Sequence, residues 1–167
     1  MKKNICFILL FVVFLWSCKK PVQYSDIPEI KYISFEKLNE YEGKLTFNFK
    51  DGVGNIGLNN NDTFPPFDSK SPFHYNFFCD YYEKQHGVFV KKDSAKTPQG
   101  MIPINFNARI PRLSKLSEES IHGEISIVFS PSYYDKNSPY NDTIQLKFYI
   151  MDRKLNASNS EEVIVIR

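Results

Sequence analysis

Leu45, Phe47 and Phe49 alternate with Thr46, Asn48 and Lys50. A period of two fits a strand with one face buried, because successive side chains leave a strand on opposite faces. The pattern returns at Ile102, Ile104 and Phe106, at Ile125, Ile127 and Phe129, and at Ile144, Leu146, Phe148 and Ile150. No segment sustains the 3.6-residue period of an amphipathic helix. The spacing predicts strands at 29–35, 45–49, 73–84, 88–92, 102–110, 124–129, 143–151 and 163–166, with a turn at Gln85-His86-Gly87 and one short helical turn at 114–120. Pro103 marks its strand as an edge or a bulge. Seven to eight short strands separated by Gly, Pro, Asn and Asp predict an all-β antiparallel sandwich of immunoglobulin-like type. Three longer connections, 51–72, 93–100 and 130–142, are where a β scaffold usually carries binding groups.

The first residues obey a different rule. Lys2-Lys3 precede a run of 12 apolar residues from Ile5 to Trp16. A spanning helix needs about 20 such residues, so the run has the length of an export signal core. It ends in Leu15-Trp16-Ser17-Cys18, which resembles a lipobox, with Trp16 bulkier than usual at its position. The expected organisation is a cleaved lipoprotein signal at 1–17, a lipidated tether at 18–28 beginning with Cys18, and one domain at 29–167. Two or three acyl chains anchor firmly where one binds marginally, since each buried methylene contributes about 0.8 kcal/mol. Lys19 follows the lipidated residue where Asp would favour inner-membrane retention, so outer-membrane delivery is expected.

Removing the signal also changes the charge. The chain carries 21 Lys and Arg against 19 Asp and Glu, and Lys2 and Lys3 supply that excess. The remaining domain is neutral, without the basic cluster that displaces phosphate counterions, so no nucleic-acid partner is expected. Of three cysteines, Cys6 leaves with the signal and Cys18 takes lipid. Cys79 remains alone and reads as a small buried hydrophobe. His74, His86 and His122 lie far apart, with no nucleophile or metal spacing around them. No catalytic residue is assigned.

The densest turn chemistry is Asp51-Gly52-Val53-Gly54-Asn55-Ile56-Gly57-Leu58. Its glycines call for tight backbone with positive φ. Asp51, Asn55 and the following Asp62 are candidate ligands for calcium, a hard cation that takes oxygen donors, although Val53 stands where a calcium loop would carry Asp. A glycine-shaped structural turn is the competing reading. Tyr133, Tyr134 and Tyr140 decorate the third long loop as candidate ligand contacts, since exposed tyrosines offer area at little entropic cost. The competing reading there is a loop held down by its own aromatics.

The glycine stretch resembles the Asp-Gly-Asp-Gly-Asp-Ile-Gly-Leu segment of small lipoproteins from Bacteroidota-type bacteria. Tyr75-Asn76-Phe77-Phe78, Tyr82-Glu83-Lys84, Ile110-Pro111, Gly123-Glu124-Ile125 and the stretch from Asp152 to Asn159 are similar to the same group. The resemblance covers about 29–167. It implies an outer-membrane lipoprotein with an immunoglobulin-like domain, and leaves its activity open. The expected function is a membrane-anchored, non-catalytic binding or accessory module of the cell envelope with an envelope protein or glycan as partner. A glycan-active enzyme and a purely structural subunit of a surface complex are the alternatives.

Overall fold

The computed structural model describes residues 25–112 and 120–167. The signal segment, Cys18, most of the tether and nearly all of the helical turn expected at 114–120 lie outside the described residues. No helix among the described residues is long and apolar enough to cross a membrane.

The domain is all-β and antiparallel, as the alternation predicts. Nine strands occur among the described residues: β1 (Glu29–Lys37), β2 (Gly43–Asp51), β3 (Phe77–Gln85), β4 (Val88–Lys91), β5 (Ser94–Thr97), β6 (Gly100–Pro103), β7 (Ile121–Phe129), β8 (Thr143–Ile150) and β9 (Glu161–Ile166). One sheet has the order β1-β2-β7, a second has β4-β3-β8-β9, and β5-β6 forms a separate hairpin.

The inward residues are those of the period-two pattern. Leu45, Phe47 and Phe49 from β2 meet Phe77, Cys79 and Tyr81 from β3 and Ile144, Leu146, Phe148 and Ile150 from β8 in one buried cluster. The ring of Phe47 lies 5.9 Å from that of Phe77 and 5.5 Å from that of Phe148, so one side chain joins both sheets. Full burial of each such side chain is worth about 1.5–3 kcal/mol. The expected turn at 85–87 is a two-residue hairpin. His86 and Gly87 both take positive φ, 51° and 88°, while Gln85 pairs with Val88. That backbone twist matches the flanking strands, as in a type I′ turn.

Two expected strands differ. β3 begins at Phe77 rather than Phe73, because His74 N–H closes a turn onto Ser71 O and Arg109 takes the His74 carbonyl at 2.7 Å. The strand expected at 102–110 stops at Pro103, whose residue has no N–H to extend a ladder. The connection expected at 93–100 instead supplies β5, which turns into β6 at Gly100 with a φ of 121°.

The outer strands show how this domain protects its edges. β1 is bulged between Tyr32 and Ser34. The Asn159 side chain accepts from Ile30 N–H at 2.8 Å and donates to Ile30 O at 2.9 Å, imitating a neighbouring strand. β4 has only four residues and carries Lys91. On β9, Lys37 Nζ covers the Ile166 carbonyl at 3.1 Å. β7 is different: it runs nine residues in unbroken register with β2, and it contains neither Pro nor Lys.

Candidate functional site

The glycine-rich loop is built around one carboxylate. Asp51 is fully buried at the end of β2. Its Oδ1 accepts from Val53 N–H at 3.1 Å, and its Oδ2 accepts from Asn55 N–H at 2.7 Å and Ile56 N–H at 3.2 Å. Gly54 and Gly57 take positive φ, 65° and 98°. A Cβ on Gly57 would fall 2.2 Å from Pro111 O, so that position also needs glycine for close approach of two main chains. Asn55 Nδ2 then reaches Asp152 Oδ2 at 3.0 Å, joining the loop to the segment after β8. Asp152 is itself buried and accepts from Lys154 N–H, Asn156 N–H and Asn156 Nδ2.

Of the calcium candidates, the structure therefore brings Asp51 and Asn55 together and adds Asp152 to them. Asp62 is engaged elsewhere: it accepts from Asn59 N–H at 2.6 Å and from the Arg112 guanidinium at 3.0 and 3.1 Å. Burial pushes the Asp62 carboxyl up, but the Asn59 amide and Arg112 outweigh it and hold the group below its ordinary value. Arg153 reaches the main chain of the same loop. Its Nη1 donates to the carbonyls of Ile56 and Gly57 at 3.3 and 3.1 Å, within the electrostatic reach of Asp51, Asp62 and Asp152. Backbone carbonyls are among the oxygen ligands a hard cation takes; here a guanidinium of the same chain uses two of them. Among the described residues, no three His, Cys, Asp or Glu side chains group to hold a metal ion. Arg109 secures the rest of the first long connection through the carbonyls of Asn59, Asp62, Phe67 and His74.

The tyrosines of the third loop divide. Tyr133 and Tyr134 are only 1% and 5% exposed, and Tyr134 lines a cavity beside this loop. Tyr133 packs edge-on against Phe35 at 5.2 Å, and Tyr134 lies between the Tyr41 ring and the Arg167 guanidinium. Tyr140 is half-buried and stands edge-on to His86. Their spacing marked a tyrosine-rich loop but not the inward direction of Tyr133 and Tyr134. A fully buried acid fastens this loop to β3. Glu83 accepts from Tyr81 Oη at 3.0 Å and from Ser138 Oγ at 2.7 Å, while Asp135 N–H donates to Tyr81 Oη at 3.2 Å.

Beside that loop lies a cavity of about 400 Å³. One wall is the consecutive run from Ile127 to Ser132, and the other is the run from Ile102 to Ala108. Only Ile102-Pro103 at the end of β6 and Ile127–Phe129 at the end of β7 are strand in these runs, and the rest is loop. Ile104, Phe106, Ile127 and Phe129 supply apolar surface, and Asn105, Asn107 and Asn137 supply amides. The charged lining groups are engaged within the loop or against the β1–β2 connection. Asp135 Oδ1 accepts from Asn137 N–H at 2.9 Å, and Lys136 Nζ lies 3.5 Å over the Tyr41 ring. The wall opposite β7 is tied to β3: Ala108 pairs with Phe77, and Asn107 Oδ1 accepts from Cys79 N–H. The loop side of this cavity belongs to the connection 130–142 marked from sequence, whereas Asn105, Asn107 and Ala108 opposite it were not singled out. Ile104 and Phe106 read there as an ordinary core stripe.

Cys79 is buried, and burial followed by the Asp80 charge pushes its thiol far above the ordinary range. The histidines stay apart: His74 beside Arg109, His86 in the β3–β4 turn and His122 at the start of β7. Comparison with protein-family models, characterised proteins and solved structures finds no match.

Proposed function

We propose that this protein is a lipid-anchored, non-catalytic binding module of the outer membrane, with an immunoglobulin-like domain that takes its partner in the groove beside β7. The strand order supports the fold reading, because strands one, two and seven against four, three, eight and nine is an order that immunoglobulin-like sandwiches use. The groove carries the functional reading. It combines apolar side chains with a few amides, the mixture that binding clefts use for affinity and orientation. Its charged lining groups, Asp135 and Lys136, are spent on holding the loop, which suits recognition better than proton transfer. The lipobox at Leu15-Trp16-Ser17-Cys18 supports the anchor, and Lys19 supports outer-membrane delivery.

Two measurements test this reading. A photo-crosslinking amino acid at Asn105, in living cells, should give a discrete adduct that the same group at Lys31 does not give. Equal adducts from both positions would remove the groove as the site. Cys18→Ser should abolish acylation and release the protein from membranes. A Cys18→Ser chain that still carries lipid would remove the anchor.

A further inference from the structure

The two sheets share one pole. β1 begins there opposite Lys50, β7 begins there opposite Asp51, and β3 begins there opposite the end of β8. The Ile56–Asp152 bridge joins the two sheets at this end. The tether enters here as well, since Gly52 N–H donates to Ser25 O at 2.8 Å. The connection from β2 to β3 leaves and returns at the same pole, and it holds up an apolar tip. Phe64 is 78% exposed, the highest value of any large hydrophobic side chain among the described residues. Pro65 and Pro66 beside it are exposed too, and no charged side chain stands between Asp62 and Asp68. The tip is held firmly. Phe67 N–H closes a turn onto Phe64 O at 2.8 Å. Arg109 takes the carbonyls of Asn59 and Asp62 on one side of the tip and those of Phe67 and His74 on the other. Ile27, 55% exposed, adds a second apolar side chain at this pole.

We infer that Phe64, with Pro65 and Pro66, dips into the lipid surface that holds Cys18, and so fixes which way the domain faces. The inference rests on the lipid-anchor reading above and adds a second contact to it. The length of the tether selects the bilayer as the occupant. Residues 18–24 span at most about 25 Å when fully extended. That is shorter than β2 alone, whose nine residues cover about 30 Å. The pole where Ser25 enters is therefore kept close to the acyl chains of Cys18, and Phe64 with it. Val88 and Ile166 are exposed as well, but they lie at the opposite pole, beside the end of β3 and the start of β8. A rigid, uncharged aromatic tip suits the boundary between headgroups and acyl chains, where Phe side chains partition at little ordering cost. The acyl chains already supply affinity, so Phe64 supplies orientation. The connection 130–142, between β7 and β8 at the opposite pole, then points away from the bilayer.

Tryptophan fluorescence tests this. Trp16 is the only tryptophan and lies in the signal segment, so a processed chain has none. Phe64→Trp and, as control, Val88→Trp are purified as processed protein, and the acyl mass of each is measured. Both are reconstituted in vesicles of phosphatidylethanolamine and phosphatidylglycerol. Lipids brominated near the headgroup end of their acyl chains should quench the Phe64→Trp emission by about half or more and leave the Val88→Trp emission unchanged. Aqueous iodide should do the reverse. Equal iodide quenching of the two variants, in acylated chains that float with the vesicles, overturns the proposal and leaves the anchor standing. So does an indole at position 64 that neither quencher reaches, which would mean that the chain covers the tip itself. Quenching of both variants by brominated lipid would mean that neither pole is preferred, and would overturn it too. A chain with no acyl mass that stays off the vesicles removes the anchor and this contact together.

Discussion

Asn55 Nδ2 donates to Asp152 Oδ2 across 3.0 Å, although the two residues stand 97 positions apart. This bond ties the loop after β2 to the segment after β8, and Asp152 is its hub, accepting four N–H groups in all. Asp152→Ala would strand several of those donors in a buried site. It should cost on the order of 3 kcal/mol or more in denaturant unfolding. Asn55→Ala should cost less, about 1 kcal/mol, because it also removes the Asn55 Oδ1 acceptor, which is buried without a partner among the described residues. Equal losses in the two variants would contradict this account.

Arg153 occupies the carbonyls of Ile56 and Gly57 beside Asp51 and Asp152. Calcium and a chelator should therefore give the same melting temperature for the native chain. A ligand that binds only the folded state must raise stability, so a rise with calcium would place a cation where the guanidinium is assigned. Arg153→Met should cost about 2 kcal/mol, through two orphaned carbonyls and a less balanced pair of buried carboxylates.

Asp62 gives a signed pH dependence. Its carboxyl is held below its ordinary value in the folded protein, where burial is outweighed by the Asn59 amide and Arg112. A depressed carboxyl stabilises the fold at pH values above the unfolded pKa of about 4. That contribution is lost as pH falls from there through the lower folded value. Thermal melts between neutral pH and about pH 3 should show a shallower acid decline for Asp62→Asn than for the native chain. Parallel curves would show that the Asp62–Arg112 pair adds nothing.

Cys79 should resist thiol reagents. Its side chain is buried, and burial together with Asp80 disfavours the thiolate that reacts. Labelling by a disulfide reagent at neutral pH should be slower than in denaturant by about a hundredfold or more, and should follow the rate of opening of β3. Rapid labelling of the native protein would place the thiol at the surface.

Much of the fold was legible because one rule produces it. A strand with one buried face must alternate, so Leu45, Phe47 and Phe49 declared both their secondary structure and their direction. The β3–β4 turn was legible for a similar reason, since His86-Gly87 can supply two successive positive φ values. β5 and β6 were not legible. Their inward residues are few, and the short hairpin contains just one fully buried side chain, Ala95. The start of β3 was misplaced because Phe73 and Tyr75 continue its aromatic pattern, whereas distant Arg109 holds the backbone there in a turn.

The sequence by itself determined the alternation, the positions of most turns, the neutrality of the domain after its signal-like segment, and the need for glycine at the loop after β2. All of these are local properties of the chain. Only tertiary structure decided which charges meet. Asp152 rather than Asp62 joins Asp51 and Asn55, and Arg153 donates to the Ile56 and Gly57 carbonyls beside them. It also turned Tyr133 and Tyr134 inward onto Phe35 and Tyr41, and it set the end of β7 beside a cavity. Side-chain direction in a loop and the company of a buried charge depend on residues that are distant in sequence. No periodicity records them.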